Sequence, residues 1–132
     1  MSRSGYSDDC AGWELIMWRG AVASAIRGKR GQAFLREMLD ALDALPVPRL
    51  IKHDLARDGE YCAIGSVGRC RGLDMSELDP EEPEQIAGAF GVACALVQEI
   101  EFLNDDWDET PEKRFVRMRA WVTKQIATGI KP

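Results

Sequence analysis

The chain has 132 residues, 45% of them hydrophobic and 30% charged, and a formal net charge of −5. This length suits one domain with its own hydrophobic core, and the composition is that of a globular rather than a disordered protein. No apolar run reaches the roughly 20 residues of a transmembrane helix, and the first residues lack a secretory signal pattern, so we expect a cytoplasmic protein with no membrane partner.

The first third of the chain predicts two helices. Asp8 and Asp9 are suitable N-caps for a helix over residues 11–27, and residues 1–9 are expected to be flexible. A break rich in Gly and Arg follows, and regularly spaced apolar residues predict a second helix over residues 32–45. The first helix carries apolar residues around most of its circumference, so it is expected to be central.

The pattern between Arg49 and Arg71 allows two interpretations. The first is a short helix over residues 49–55, a turn at 57–59 and a helix over 60–71. The second is a small β-hairpin near residues 50–65, because Asp-Gly is typical of a two-residue hairpin turn.

The second half of the chain predicts three further helices. Two of them, over residues 81–90 and 92–103, meet at Gly91, and Thr-Pro-Glu at 110–112 is typical of the start of a last helix. The predicted fold is an all-α single domain, residues 1–132, of six or seven short helices.

The two helices around Gly91 have the spacing of a helix-turn-helix corner. Small and apolar residues occupy the packing positions, and Gly91 permits the positive φ of a tight turn. The second helix carries no Lys or Arg, although phosphate contacts need cations. A DNA-binding regulator using the corner at residues 86–100 is therefore the alternative function, with these candidate contacts: Gln98, Arg114, Arg117, Arg119 and Lys124.

Charge is distributed unevenly along the chain. Residues 72–112 contain thirteen acids and no Lys or Arg, whereas residues 113–132 contain six bases and no acids. An array of carboxylates can imitate phosphates and occupy a nucleic-acid groove on another protein. This favours a binding protein that inhibits or modulates its partner through an acidic surface formed by Asp79, Glu81, Glu82, Glu84, Asp105, Asp106, Asp108 and Glu109.

Catalytic and metal-binding patterns are missing from the sequence. The four cysteines form no CxxC pair, so we expect free thiols, no metal and no cofactor. Zinc held by Cys62, Cys70, Cys94 and His53 is the alternative. No nucleophile–base motif occurs, so we expect no catalytic residues and no enzyme.

Aromatic residues suggest one further kind of contact. Trp13, Trp18 and Trp121 would supply a homodimer interface if they are exposed.

Several blocks of the sequence resemble an abundant family of small uncharacterised proteins encoded by bacteriophages and prophages. The blocks are RGKRGQAFLREMLDALDALP, GEYCAIGSVGRCRGLDMSELDP, FGVA and ETPEKRFVRMRAWV, and the resemblance covers residues 12–126. It implies an accessory protein acting in the bacterial cytoplasm on a host protein, such as a nucleic-acid-binding defence complex, in the manner of anti-CRISPR proteins. It assigns no role to any residue.

Overall fold

The computed structural model of the protein describes Arg3 and residues 12–129, with side chains for Arg3 and residues 17–126. The elements are α1 (Gly12–Arg27), α2 (Lys29–Asp43), β1 (Ala56–Arg57), β2 (Glu60–Tyr61), α3 (Ala63–Arg71), α4 (Pro83–Phe90), α5 (Cys94–Asp105) and α6 (Pro111–Gly129). The predicted all-α class is confirmed, and of the two interpretations of residues 49–71 the structure shows the small hairpin, followed by a helix. The flexibility expected for residues 1–9 lies outside the described residues, except at Arg3, which is buried.

The hairpin forms around the Asp58-Gly59 turn. Asp58 and Gly59 have φ values of 54° and 78°, as a two-residue type I′ loop requires. The helix predicted over residues 49–55 is wrong. The N–H groups of Leu50 and Ile51 instead donate to the carbonyls of Pro111 (3.1 Å) and Tyr61 (3.0 Å). Tertiary hydrogen bonds therefore replace the local bonds of a helix in this segment.

The central element is α5 rather than α1. Every residue of α5 is buried or half-buried, and the helix packs against α1, α3, α4 and α6. In α1, only Val22 and Ile26 are buried among the described side chains, and Met17 is 59% exposed. The expectation of a central first helix is therefore wrong, because the polar residues of α5 conceal how completely that helix is buried.

The corner between α4 and α5 is confirmed. Gly91 has a φ of 74°, and the N–H groups of Gly91 and Val92 both donate to the carbonyl of Ala87, at 2.8 and 3.1 Å. The chain direction changes by 112° between the two helices, within the range of helix-turn-helix corners. In the described part of the chain no single helix is long and apolar enough to cross a membrane, and only this bent pair reaches that length and composition when its two helices are joined.

Two glycines of α4 and its turn allow a matched test of this corner. A Cβ at Gly91 or Gly88 meets no atom within 4 Å, so each substitution reports backbone conformation alone. Gly91→Ala should lower the free energy of unfolding by about 1–2 kcal/mol, because an L-residue is strained in the left-handed region. Gly88→Ala, inside the helix, should raise it by up to about 1 kcal/mol. Urea denaturation measures both, and equal effects at the two positions would contradict the corner geometry.

Candidate functional site

The chain between α3 and α4 lies on the protein surface and is rich in acids. We call residues 74–84 the acidic segment. The side chains of Leu73, Met75 and Leu78 pack against the hydrophobic core and so hold the acidic segment in place. Met75 fits against Gly68, where an added Cβ would lie 2.3 Å from the Met75 sulfur. Because Gly68 has no side chain, α3 leaves the space that Met75 of the acidic segment occupies.

Hydrogen bonds within the acidic segment define its backbone. Asp74 Oδ1 accepts from the N–H and hydroxyl of Ser76, at 3.0 and 2.6 Å, and these bonds lower the pKa of Asp74. Asp79 Oδ1 accepts from the N–H of Glu81 at 2.9 Å, and Gln85 Oε1 accepts from the N–H of Asp79 at 2.6 Å. The segment therefore presents its acids from a defined, non-helical backbone.

The carboxylates of the acidic segment form no ion pair with a described residue. Six exposed carboxylates, none within 4.0 Å of a basic group among the described residues, belong to Asp74, Glu77, Asp79, Glu81, Glu82 and Glu84. The preceding base, Arg71, pairs with Glu37 at 2.7 Å and donates to the Phe90 carbonyl at 3.1 Å. The four expected acids of this region, Asp79, Glu81, Glu82 and Glu84, thus lie together on one exposed segment.

The second expected group of surface acids, at residues 105–109, is only partly at the surface. Asp106 and Asp108 are exposed. Asp105 is 7% exposed and ion-paired with Arg3. Glu109 is half-buried and ion-paired with Arg117, whose guanidinium lies 4.4 Å from the centre of the Trp107 ring. The prediction that Asp105 belongs to the acidic surface is therefore wrong, because Asp105 is buried against Arg3, and Glu109 is only partly exposed beside Arg117.

α5, the second helix of the corner, carries no exposed residue, whereas a recognition helix must contact base edges. Gln98 is half-buried, like the other accessible residues of α5. Arg114 is 2% exposed, and its guanidinium donates to the Leu50 carbonyl at 2.9 Å, so it is not available to a phosphate. Arg119 forms an ion pair with Asp43 at 2.7 Å. Lys124 is exposed on α6, on a different element from the corner.

A buried polar cluster joins Arg3 to the last turn of α5. The Arg3 guanidinium donates to both carboxylate oxygens of Asp105, with Nη2 2.9 Å from Oδ1. Its Nη1 lies 3.6 Å from Glu101 and 3.9 Å from the sulfur of Cys62. This cluster was not predicted from the sequence, since 102 residues separate Arg3 from Asp105. Glu101 and Asp105, one turn apart on a helix without Lys or Arg, indicate that a cation lies nearby but do not identify Arg3.

The pKa values of Glu101, Asp105 and Cys62 in this cluster are shifted in different directions. Burial raises the pKa of Glu101 to about 8, although Arg3 opposes the rise, and neither Glu101 oxygen accepts a hydrogen bond from a described residue. Burial also favours neutral Asp105, but hydrogen bonds from Arg3 keep the pKa of Asp105 below its usual value. Burial raises the pKa of Cys62, so its thiol is protonated near neutral pH. Glu101 and Cys62 are 0% and 1% exposed, which makes the cluster an internal anchor that a substrate cannot reach.

The remaining candidate sites are not assembled in the described part of the chain. No group of three His, Cys, Asp or Glu side chains there could hold a metal ion, and Cys70 is exposed whereas Cys62 is buried. Trp18 and Trp121 are half-buried against the core, and the side chain of Trp13 lies outside the described residues. No described residue therefore supports the zinc alternative, and Trp18 and Trp121 expose little surface to a second copy.

The raised pKa of Glu101 gives a pH-dependent stability. A folded-state pKa near 8 exceeds the unfolded value, so the contribution of Glu101 to stability is fully present below about pH 4.5 and is lost as the pH rises through 8. The free energy of unfolding of Glu101→Gln, minus that of the wild type, should increase by about 2–5 kcal/mol between pH 5 and pH 9. Glu84→Gln, at an exposed acid, is the control. Urea denaturation measures these free energies. If the values for wild type and Glu101→Gln change in parallel between pH 5 and pH 9, the raised pKa of Glu101 is refuted.

Comparison with protein families, with curated protein sequences and with solved structures found no match. The resemblance to small phage-encoded proteins stays an expectation.

Proposed function

We propose that the protein is a non-enzymatic binding protein whose acidic segment contacts a positively charged surface of a partner protein. One observation carries the proposal: six exposed carboxylates in residues 74–84 have no cation among the described residues within 4.0 Å. Elsewhere, acids such as Glu37, Asp43 and Glu99 pair with arginines. Concentrated like charge destabilises the isolated fold through self-repulsion, and the cations of a partner would relieve that repulsion.

The partner class follows from the geometry of the charge. Carboxylates presented from a defined backbone can occupy positions that phosphates take in a nucleic-acid groove. A host nucleic-acid-binding protein, such as a component of a defence complex, has the required basic surface. Together with the resemblance to phage-encoded proteins, this supports a protein that inhibits or modulates such a host protein, as anti-CRISPR proteins do. Electrostatic complementarity of this kind speeds association and makes it sensitive to salt.

Charge reversal tests the proposed surface. Immobilised wild-type protein should retain a basic, nucleic-acid-binding protein from a host lysate, and this retention should fall as salt rises. Glu81→Lys/Glu84→Lys should reduce the retention at least about tenfold, because each lysine replaces attraction by repulsion.

The matched control is Asp40→Lys/Glu112→Lys, which makes the same change in net charge at two other exposed positions. It should retain the partner. Circular dichroism must show that both variants are folded. Equal retention by wild type and Glu81→Lys/Glu84→Lys, or no salt-sensitive retention by the wild type, would contradict the proposal.

A further inference from the structure

A surface groove runs between the hairpin and the acidic segment. It encloses about 430 Å³. One wall comes from the hairpin and the residues before it, and the other comes from the chain that follows α3. Its apolar lining is formed by Leu55, Tyr61, Leu73, Met75, Leu78 and Pro80. The groove therefore opens beside the carboxylates that the proposed function uses.

Both walls of the groove are fixed by contacts to the rest of the fold. The hairpin wall is anchored where the Tyr61 carbonyl accepts from Ile51 N–H and the Leu55 carbonyl accepts from Cys62 N–H, at 3.0 and 3.1 Å. A Cβ at Gly65 would lie 1.8 Å from the Leu55 carbonyl oxygen, so the wall lies directly on α3. Preformed walls lower the ordering cost of binding.

The apolar lining is incompletely covered by the protein itself. Leu55 is buried, whereas Leu73, Met75 and Leu78 keep part of their surface exposed. The Tyr61 side chain also lines the groove, and its hydroxyl forms no hydrogen bond with any residue that the structure describes. An apolar side chain placed here would cover carbon surface, and the Tyr61 hydroxyl could bond to the backbone beside it.

The rim of the groove is negative. Asp54 and Asp74 both line it. Arg57 neutralises Asp54 at 2.6 Å, but Asp74 has no ion pair among the described residues, and Glu77 and Asp79 follow in the same segment. A segment that binds here must therefore bring cations as well as an apolar group.

We propose that this groove receives one apolar side chain, of the size of Leu or Met, from a partner segment whose flanking Lys or Arg residues contact the acidic segment. This inference rests on the proposed function and specifies its partner as a basic peptide segment with an apolar anchor. The cations supply long-range attraction, and the anchor sets the register of the segment.

Three synthetic heptapeptides separate the two contributions. The first has a central Leu flanked by three Lys on each side, the second replaces Leu by Ser, and the third replaces every Lys by Glu. Isothermal titration should give the Leu–Lys peptide a Kd at least about tenfold lower than the Ser–Lys peptide, since burial of a leucine side chain supplies that factor. The Leu–Glu peptide should not bind measurably.

A substitution at the groove tests where the leucine lies. Ala56 is exposed and lines the groove, so Ala56→Trp fills the space without disturbing the core. It should remove the preference for Leu over Ser and leave the affinity for the Ser–Lys peptide unchanged. Ala120→Trp, at an exposed position on α6, should keep the preference.

The outcomes distinguish the inference from the function on which it rests. Equal binding of the Leu–Lys and Ser–Lys peptides would overturn the groove inference and leave the acidic binding surface standing. Absence of binding by either basic peptide would overturn both. Binding of the Leu–Glu peptide as tightly as the Leu–Lys peptide, or a preference for Leu that survives Ala56→Trp, would also overturn the inference.

Discussion

The side chains of Asn104 and Asp105, at the end of α5, connect the start of α3 to the irregular chain that precedes the hairpin. Asn104 accepts a hydrogen bond from the N–H of Ala63 at 3.1 Å and donates to the carbonyl of Ile51 at 2.9 Å. Asp105 accepts from the N–H of His53 at 3.1 Å. Buried backbone groups need such partners, and His53 has a φ of 73°, which is uncommon for residues other than glycine. This end of α5 therefore positions the start of α3 and the chain leading into the hairpin.

The acids of α5 and the acids of the acidic segment have contrasting surroundings. The acids of α5 lie in the interior and are balanced by arginines: Asp105 by Arg3, and Glu99 by Arg19. The acids of residues 74–84 lie outside on a segment attached through Leu73 and Met75. Among the described residues, no base lies within 4.0 Å of a carboxylate of the acidic segment. The hairpin that α5 positions then forms the wall opposite this segment, which places an apolar groove beside exposed carboxylates.

The sequence predicted the features that depend on local rules. Gly91 ends α4 in the left-handed region, Thr110 caps α6 through its hydroxyl 3.2 Å from the N–H of Lys113, and Asp58-Gly59 forms the hairpin turn. The acids from Asp79 to Glu84 are exposed, as expected, because charged side chains without a partner are rarely buried. Pairings between distant residues were not predictable. Arg3 lies far from α5 in the sequence, so neither the burial of Asp105 nor the central position of α5 follows from periodicity. The groove was missed for the same reason, since its walls come from separate segments.

The most direct test of the binding surface is nuclear magnetic resonance of the ¹⁵N-labelled protein during titration with the heptapeptide of one Leu flanked by lysines. Backbone amide shifts report which residues a ligand contacts without any substitution in the protein. The expected result is a set of shift changes confined to residues 54–61 and 73–84, the two walls of the groove and the acidic segment. Shift changes centred on residues 105–109 or on the exposed face of α6, with residues 73–84 unaffected, would contradict the proposed site.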